Sequence, residues 1–340
     1  MKSWLNKLTG RSAGSFKIPI RAMNRTPYFV YLPDPSPPSD KELRATILAW
    51  WSAHASPEMA ARGSQLFDGG MLIPIPLDLH AFPPCLTIRD AVAVDHPDVS
   101  KSLAAARSCL SLWASDTLSD PRVGLLFGRA GARAVAVAAQ GVAVDATTAE
   151  VLNLDPALRE SRRDLADEIT IVPIKGSTPG TLSPRTAGAA KYGIPELQVC
   201  NVPRGIEYHI TKLLMGAAYV FAKLAEVEAD RKADHASHIV ATSPITITGE
   251  GVGRAMGPAA RFIFTQAQKV EVGFQFHPPT KPRPDIGVPD YVPFIDVISA
   301  GSFDGLVELL PPGQQSLSAG SRHWVEHLSL QLGLGSSATG

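Results

Sequence analysis

The stretch that most constrains the fold is Leu182–Glu228, where a polar loop, a short apolar run and a long helical pattern follow one another. From about Gly205 to Asp230, apolar residues recur every three or four positions, which predicts a helix that buries one broad face. The β-branched run just before it predicts a strand. We therefore expect a fold in which strands pack against this helix.

The remaining chain alternates between strand and helix patterns and predicts an α+β fold, with mixed or antiparallel sheets packed against helices. Prolines at 74 and 76 predict an edge strand or an extended segment for Met71–Leu79 rather than a central strand, because proline cannot donate to a ladder. The predicted strands are Tyr28–Leu32, Met71–Leu79, Leu86–Asp95, Gly141–Asp145, Glu168–Lys175, His238–Thr248 with a break at Pro244, Val270–His277 and Tyr291–Ile298. The other predicted helices are 40–55 behind a Ser39 or Asp40 cap, Ser100–Ser115, Asp120–Gln140 and Phe303–Leu310.

Domain boundaries follow from composition. We expect a leader over 1–20, an N-terminal lobe over 21–155, a C-terminal lobe over 156–310 and a tail over 311–340 that is rich in Gly, Ser and Gln. Each half reads as strand, long helix and strand, so the pattern allows two related lobes. Arg159–Asp167 alternates acids and bases and is interpreted as a solvated helix face or linker.

Charge and cysteine content narrow the classes of partner. Lys plus Arg and Asp plus Glu both number 32, which disfavours nucleic acid as the main partner, because phosphate binding depends on positive charge. The three cysteines are far apart, which is typical of reduced thiols in a cytoplasmic protein. We find no apolar run long enough for a transmembrane helix.

The densest polar group precedes the long helix and consists of Arg185, Thr186, Lys191 and Glu196, with Tyr192 beside them. A guanidinium, an ammonium and a hydroxyl close together can hold a carboxylate or phosphate. The sequence therefore predicts a ligand-binding loop here. The alternative is a loop whose charges are only solvated.

A second hypothesis concerns Gly249–Gly257, a glycine-rich segment directly after a strand. Gly249, Gly251 and Gly253 would let backbone N–H groups approach a phosphate, and Glu271 would hold a ribose. Pro258 interrupts the helix that such a site requires, and the surrounding βαβ units are absent. The alternative is a connecting loop or hairpin, and we assign no cofactor.

Other chemical signatures are weak in this sequence. His235 and His238 lack a third ligand at a recognised spacing, and His323 and His327 lack the glutamate of a HExxH motif, so no metal is expected. We find no GxSxG elbow and no Cys with an adjacent His. No catalytic residue is predicted, and enzymatic activity is left open as the less favoured interpretation.

The run RTAGAAKYGIPELQVCNVP, followed by the long helix, resembles a segment of bacterial domains of unknown function with an aromatic–Gly–hydrophobic–Pro–acid–Leu stretch. The segment 127–152 is similar to their helix-then-strand element. The resemblance covers roughly 127–230 and implies a cytoplasmic bacterial accessory protein that binds another protein, with relatives in toxin neutralisation or defence. It brings no catalytic residues.

Three functions stay open at this point. The first is a non-enzymatic binding protein that uses the 183–196 loop or the surface beside it. The second is an enzyme that binds a nucleotide or phosphorylated ligand at Gly249–Gly257. The third is a component anchored to a membrane surface or complex through residues 1–14, where Trp4, Leu5 and Leu8 line one side of a short helical pattern.

Overall fold

A computed structural model describes residues 14–310 except 22, 71, 78, 80–96, 119–122, 156, 162–163, 177–178, 233–234, 263, 265–267 and 278–305. Several predictions lie outside these residues. They are residues 1–13 of the leader, the strands at 86–95 and 291–298, the tail at 311–340, and His323 and His327.

The described residues form an α+β fold, as predicted. The helices are α1 Asp40–His54, α2 Pro57–Asp68, α3 Pro97–Ala104, α4 Val123–Ala138, α5 Leu165–Glu168, α6 Glu207–Arg231 and α7 Gly249–Met256, with 3-10 turns at Ala189–Tyr192 and Ala260–Phe262. The strands are β1 Gly14–Pro19, β2 Met23–Leu32, β3 Leu72–Leu77, β4 Ser108–Thr117, β5 Val142–Asp145, β6 Glu150–Val151, β7 Thr170–Lys175, β8 Thr181–Ala187, β9 Glu196–Gln198, β10 Val202–Pro203, β11 His238–Ser243, β12 Ile245–Thr248, β13 Lys269–His277 and β14 Leu306–Leu310.

The contacts divide the chain into two compact units. Among the described residues, the N-terminal unit contains 23–161, and the C-terminal unit contains 14–21, 164–277 and 306–310. Among these residues, no helix is long and apolar enough to cross a membrane.

The N-terminal unit is built on an antiparallel sheet with strand order β3-β4-β2-β5-β6. The proline-containing β3 lies at its edge, as predicted. Helix α1 begins with a capping box, in which Ser39 and Glu42 bond each other's backbone N–H groups. Helix α4 packs against α1 and the sheet, and its residues from Val123 to Ala136 are buried. It is therefore the central helix of this unit.

The predicted helix Ser100–Ser115 is wrong in its second half. Helix α3 ends at Ala104, and residues 108–117 form β4, which pairs with both β2 and β3. A strand that is flanked on both sides and buried on both faces has no polar alternation, so its sequence resembles a buried helix. Long-range pairing decided its structure.

The interpretation of 159–167 as solvated is wrong for Glu160. Its carboxylate is buried and lies 2.8 Å from Arg133 and 3.7 Å from Arg129, both on α4. Arg129 also donates to the carbonyl of Ser161 at 3.1 Å. One buried carboxylate therefore faces two buried guanidinium groups inside the N-terminal unit.

The C-terminal unit is built on a mixed sheet with strand order β10-β8-β9-β14-β13-β12, to which β7 adds by pairing with β8. The pair β14–β9 is parallel, and the other pairs of this sheet are antiparallel. The long helix α6 contacts β8, β9 and β12. It buries Ile210, Leu213, Leu214, Ala217 and Phe221 on the predicted apolar face.

One further segment of this unit differs from the sequence-based expectation. Residues 306–310, predicted to be helical, form β14 between β9 and β13. The break at Pro244, by contrast, separates β11 from β12 as predicted.

Candidate functional site

The predicted loop group does not converge on one surface. Thr186 is buried, donates to Glu196 at 2.6 Å and accepts the backbone N–H of Leu197 at 2.8 Å. The Glu196 carboxylate also accepts N–H bonds from Gly188 at 3.0 Å and Ala189 at 3.3 Å, at the start of the 3-10 turn. These two side chains therefore hold β8, β9 and the turn together.

Lys191 also has an internal partner. Its ammonium lies 2.9 Å from the Glu168 carboxylate and 3.1 Å from the Glu168 carbonyl oxygen, and both side chains are buried. A buried lysine is stable when it is paired and hydrogen-bonded in this way. Lys191 therefore links the turn to α5 rather than facing solvent.

The burial of Glu196 makes the free energy of unfolding depend on pH. Burial raises the pKa of its carboxyl above the ordinary value of 4.5, and the bonds from Thr186, Gly188, Ala189 and Ala190 oppose that rise. The folded state therefore holds a proton that the unfolded state loses as pH rises from 4.5 to the folded-state pKa. In this window the free energy of unfolding falls with increasing pH.

We expect Glu196→Gln to remove that fall. The difference in unfolding free energy, variant minus wild type, should become more positive as pH rises from 4.5. Urea unfolding at a series of pH values measures it, with Glu226→Gln, at a half-buried position on α6, as control. A difference that stays constant or becomes more negative with pH would contradict this assignment.

Arg185, the fourth member of the group, belongs to a row of polar side chains on one face of the sheet. Its Nε donates to the Gln198 side-chain oxygen at 3.0 Å, from β8 to the facing position on β9. Gln198 lies opposite Glu308 of β14, whose carboxylate is 2.8 Å from His277 Nε2 of β13. The row thus crosses four neighbouring strands.

Cys200 connects the Arg185–Gln198 pair with the Glu308–His277 pair. The Gln198 amide nitrogen donates to its sulfur at 2.7 Å. Burial, followed by a hydrogen bond with Glu308, raises the pKa of the Cys200 thiol to about 11. The thiol is therefore protonated near neutral pH and is a poor nucleophile. We call Arg185, Gln198, Cys200, Glu308 and His277 the polar row.

The polar row suits recognition better than bond making. Its members are partly exposed, and they are already oriented by hydrogen bonds to one another. Within the part of the chain that the structure describes, Arg185 is bonded to a neutral amide and Glu308 to the His277 imidazole, and neither has a Lys, Arg, Asp or Glu partner. Arg185 and Glu308 lie two strand spacings apart, so this face presents a guanidinium and a carboxylate about 10 Å from each other.

The glycine-rich segment forms α7 rather than a loop. Thr248 caps the helix by accepting the Gly251 N–H at 3.0 Å. A Cβ on Gly253 would lie 3.1 Å from Arg261 Cα, so this glycine permits close packing. Glu271 is exposed on β13, opposite Thr246 of β12. Nucleotide binding here stays a prediction, and the structure gives two of the three glycines helix-capping and packing roles.

Within the described ranges, no group of three His, Cys, Asp or Glu side chains could hold a metal ion. His238 lies on β11 with Ser237 Oγ 3.2 Å from its Nδ1. Sequence reasoning missed Gln198, Cys200, Glu308 and His277 as one set. The alternating pattern of β13 marks His277 as a side chain on one face, but the neighbours of β13 could not be inferred.

Comparison with protein-family models, with curated proteins and with solved structures finds no match to the chain. The resemblance to bacterial domains of unknown function therefore stays a prediction.

Proposed function

We propose that this chain is a non-enzymatic binding protein, and that its partner is another protein that contacts the polar row. This proposal is supported mainly by the hydrogen-bonded set that runs from Arg185 through Gln198, Cys200 and Glu308 to His277, on one face of the sheet and partly exposed. Preoriented side chains lose little conformational entropy when they bind.

Charge supports a protein as the partner. The row presents a guanidinium and a carboxylate on one face, which favours a surface with the opposite charges in matching order. A polyanion would be attracted to Arg185 but repelled by Glu308. The balanced total of 32 basic and 32 acidic residues adds no long-range attraction for nucleic acid.

The proposal includes a cytoplasmic location. The described cysteines, Cys109 and Cys200, are free thiols, as is usual in a reducing compartment. The proposal also includes a role in toxin neutralisation or a defence complex, which is supported only by the resemblance to bacterial domains of unknown function.

Substitutions in the row test the proposal. A pull-down from extracts of the source cells would use four tagged chains: wild type, Arg185→Gln, His277→Gln and the control Lys223→Gln. The control removes a positive charge from the exposed face of α6. We expect one protein to be retained by wild type and control and to drop at least tenfold with both row variants, because each loses an oriented contact.

Circular dichroism and melting temperature must first show that each variant is folded. Retention of the same protein at equal levels by all four chains would reject the polar row as the binding surface. Failure of wild type to retain any protein would reject the proposal of a protein partner.

A further inference from the structure

We propose that Lys212 binds a small oxyanion of the phosphate type at the first turn of α6. Lys212 is 6% exposed, and its ammonium lies 3.4 Å from the ring centre of Tyr208 and 5.3 Å from that of Phe264. This place is separate from the polar row, and the inference does not depend on the proposed function.

Among the described residues, the ammonium of Lys212 has no anionic partner. Across the described residues, its contacts are the two aromatic rings, with no hydrogen bond or ion pair to an oxygen. Lys191, the other buried lysine of this unit, has the Glu168 carboxylate at 2.9 Å. The side chain of Lys212 is largely buried, and aromatic rings satisfy an ammonium less fully than an oxygen acceptor does. An oxyanion would supply the acceptor.

The position of Lys212 on the helix favours an anion. Lys212 and Tyr208 are one turn apart on α6, and long helical side chains lean towards the N-terminus, where the backbone dipole is positive. The residue before the helix, Ile206, makes no side-chain cap. Glu207 places a carboxylate at the same turn, but the Gly205 N–H holds this carboxylate at 2.8 Å, and that bond is the main reason that its pKa is lowered.

His209 provides a second polar group at this turn. Its Nδ1 is buried and has no hydrogen-bond partner among the described residues. Burial, then the charge of Lys212, lowers the pKa of the imidazole, so the ring is neutral near pH 7. A neutral imidazole can donate one N–H to an oxyanion held by Lys212.

Tyr208 supplies access to the site. Its ring covers the ammonium, yet the residue is 65% exposed, so the ring can swing into solvent without leaving a cavity in the core. An oxyanion would then take the place of the ring beside the ammonium. Removing the ring should therefore preserve or strengthen binding, whereas removing the ammonium should abolish it.

Inorganic phosphate is the probe for this site. Melting temperatures of the full chain would be measured in phosphate and in sodium chloride of equal ionic strength at pH 7.5. We expect phosphate to raise the melting temperature of wild type and of Tyr208→Ala, because binding to the folded state stabilises it. Lys212→Met should lose this increase, whereas the control Lys223→Met should keep it.

A second measurement covers the case in which Lys212→Met does not fold. Wild-type lysines would be dimethylated with ¹³C and followed by NMR during a phosphate titration. The Lys212 resonance should shift saturably, and the Lys223 resonance should not. No rise in melting temperature for wild type, an equal rise in Lys212→Met, or a Lys212 resonance that follows Lys223 would each overturn the proposal.

Discussion

Replacing Glu160 with glutamine is expected to lower the free energy of unfolding of the N-terminal unit by about 3–5 kcal/mol, because it leaves two buried guanidinium groups without their carboxylate. Arg129 and Arg133 are 2% and 3% exposed, so water cannot replace the lost charge. Both lie on α4, the central helix of the unit. The loss should therefore destabilise the whole unit rather than one loop.

Denaturant unfolding of the full chain, followed by hydrogen exchange in residues of α4, measures this effect. The matched control is Asp98→Asn, which removes the carboxylate of an exposed pair with Lys101 in the same unit. The control should leave stability unchanged, since exposed pairs contribute little. A Glu160→Gln loss as small as that of the control would contradict the buried role of Glu160.

The second large effect concerns two glycines of α4, where the same substitution to alanine should change the stability of the protein in opposite directions. A Cβ on Gly128 would lie 2.3 Å from Ala114 Cβ and 2.9 Å from the Tyr28 ring. Gly128→Ala should destabilise by about 1–3 kcal/mol, because the helix must move away from the sheet. A Cβ on Gly131 would meet Leu72 at 3.4 Å and Ile47 at 3.5 Å, which is ordinary contact.

Gly131→Ala should therefore stabilise the protein by about 0.5–1 kcal/mol, through better helix propensity and added packing. The two variants share a helix and a substitution, so each is the control of the other. Urea midpoints compared at equal slope would show the opposite shifts. Shifts of the same sign would mean that α4 does not approach β4 as closely at Gly128 as the distances require.

These glycines show where sequence reasoning reaches its limit. Helix propensity counts each glycine as a weakness of the predicted helix 120–140, and α4 does form over 123–138. What propensity cannot indicate is which glycine touches the sheet, because that depends on β4. The sequence also predicts helix for residues 108–115 of β4, since a strand buried on both faces carries no polar alternation.

Segments with a strong local signal were predicted well. The Ser39 cap, the apolar face of α6, the edge position of β3 and the break at Pro244 each follow from local chemistry, and the structure contains all four. Residues 306–310 were predicted wrongly because their structure depends on β9 and β13, which are distant in the chain.

The candidate site was only partly predictable for the same reason. The density of polar residues in the 183–196 loop identified Arg185. Side chains alternate between the two faces of β8 and β9, however, so the other predicted residues do not lie on the face of Arg185. Thr186 and Glu196 close the turn, and Lys191 pairs with Glu168. Gln198 lies opposite both Arg185 and Glu308 through strand pairing, and Cys200 and His277 join these residues through side-chain hydrogen bonds. Charge alternation likewise suggested solvent exposure for Glu160, although its partners lie on α4.

The most direct test of the central claim is site-specific photo-crosslinking in the source cells. A photoreactive residue would replace Gln198, in the middle of the polar row, or Val227, which is 63% exposed on α6. We predict that the Gln198 position forms a crosslink to one protein, and that Arg185→Gln in the same chain weakens it. Crosslinks to that protein from Val227 alone, or none from Gln198 in a folded chain, would contradict binding at the polar row.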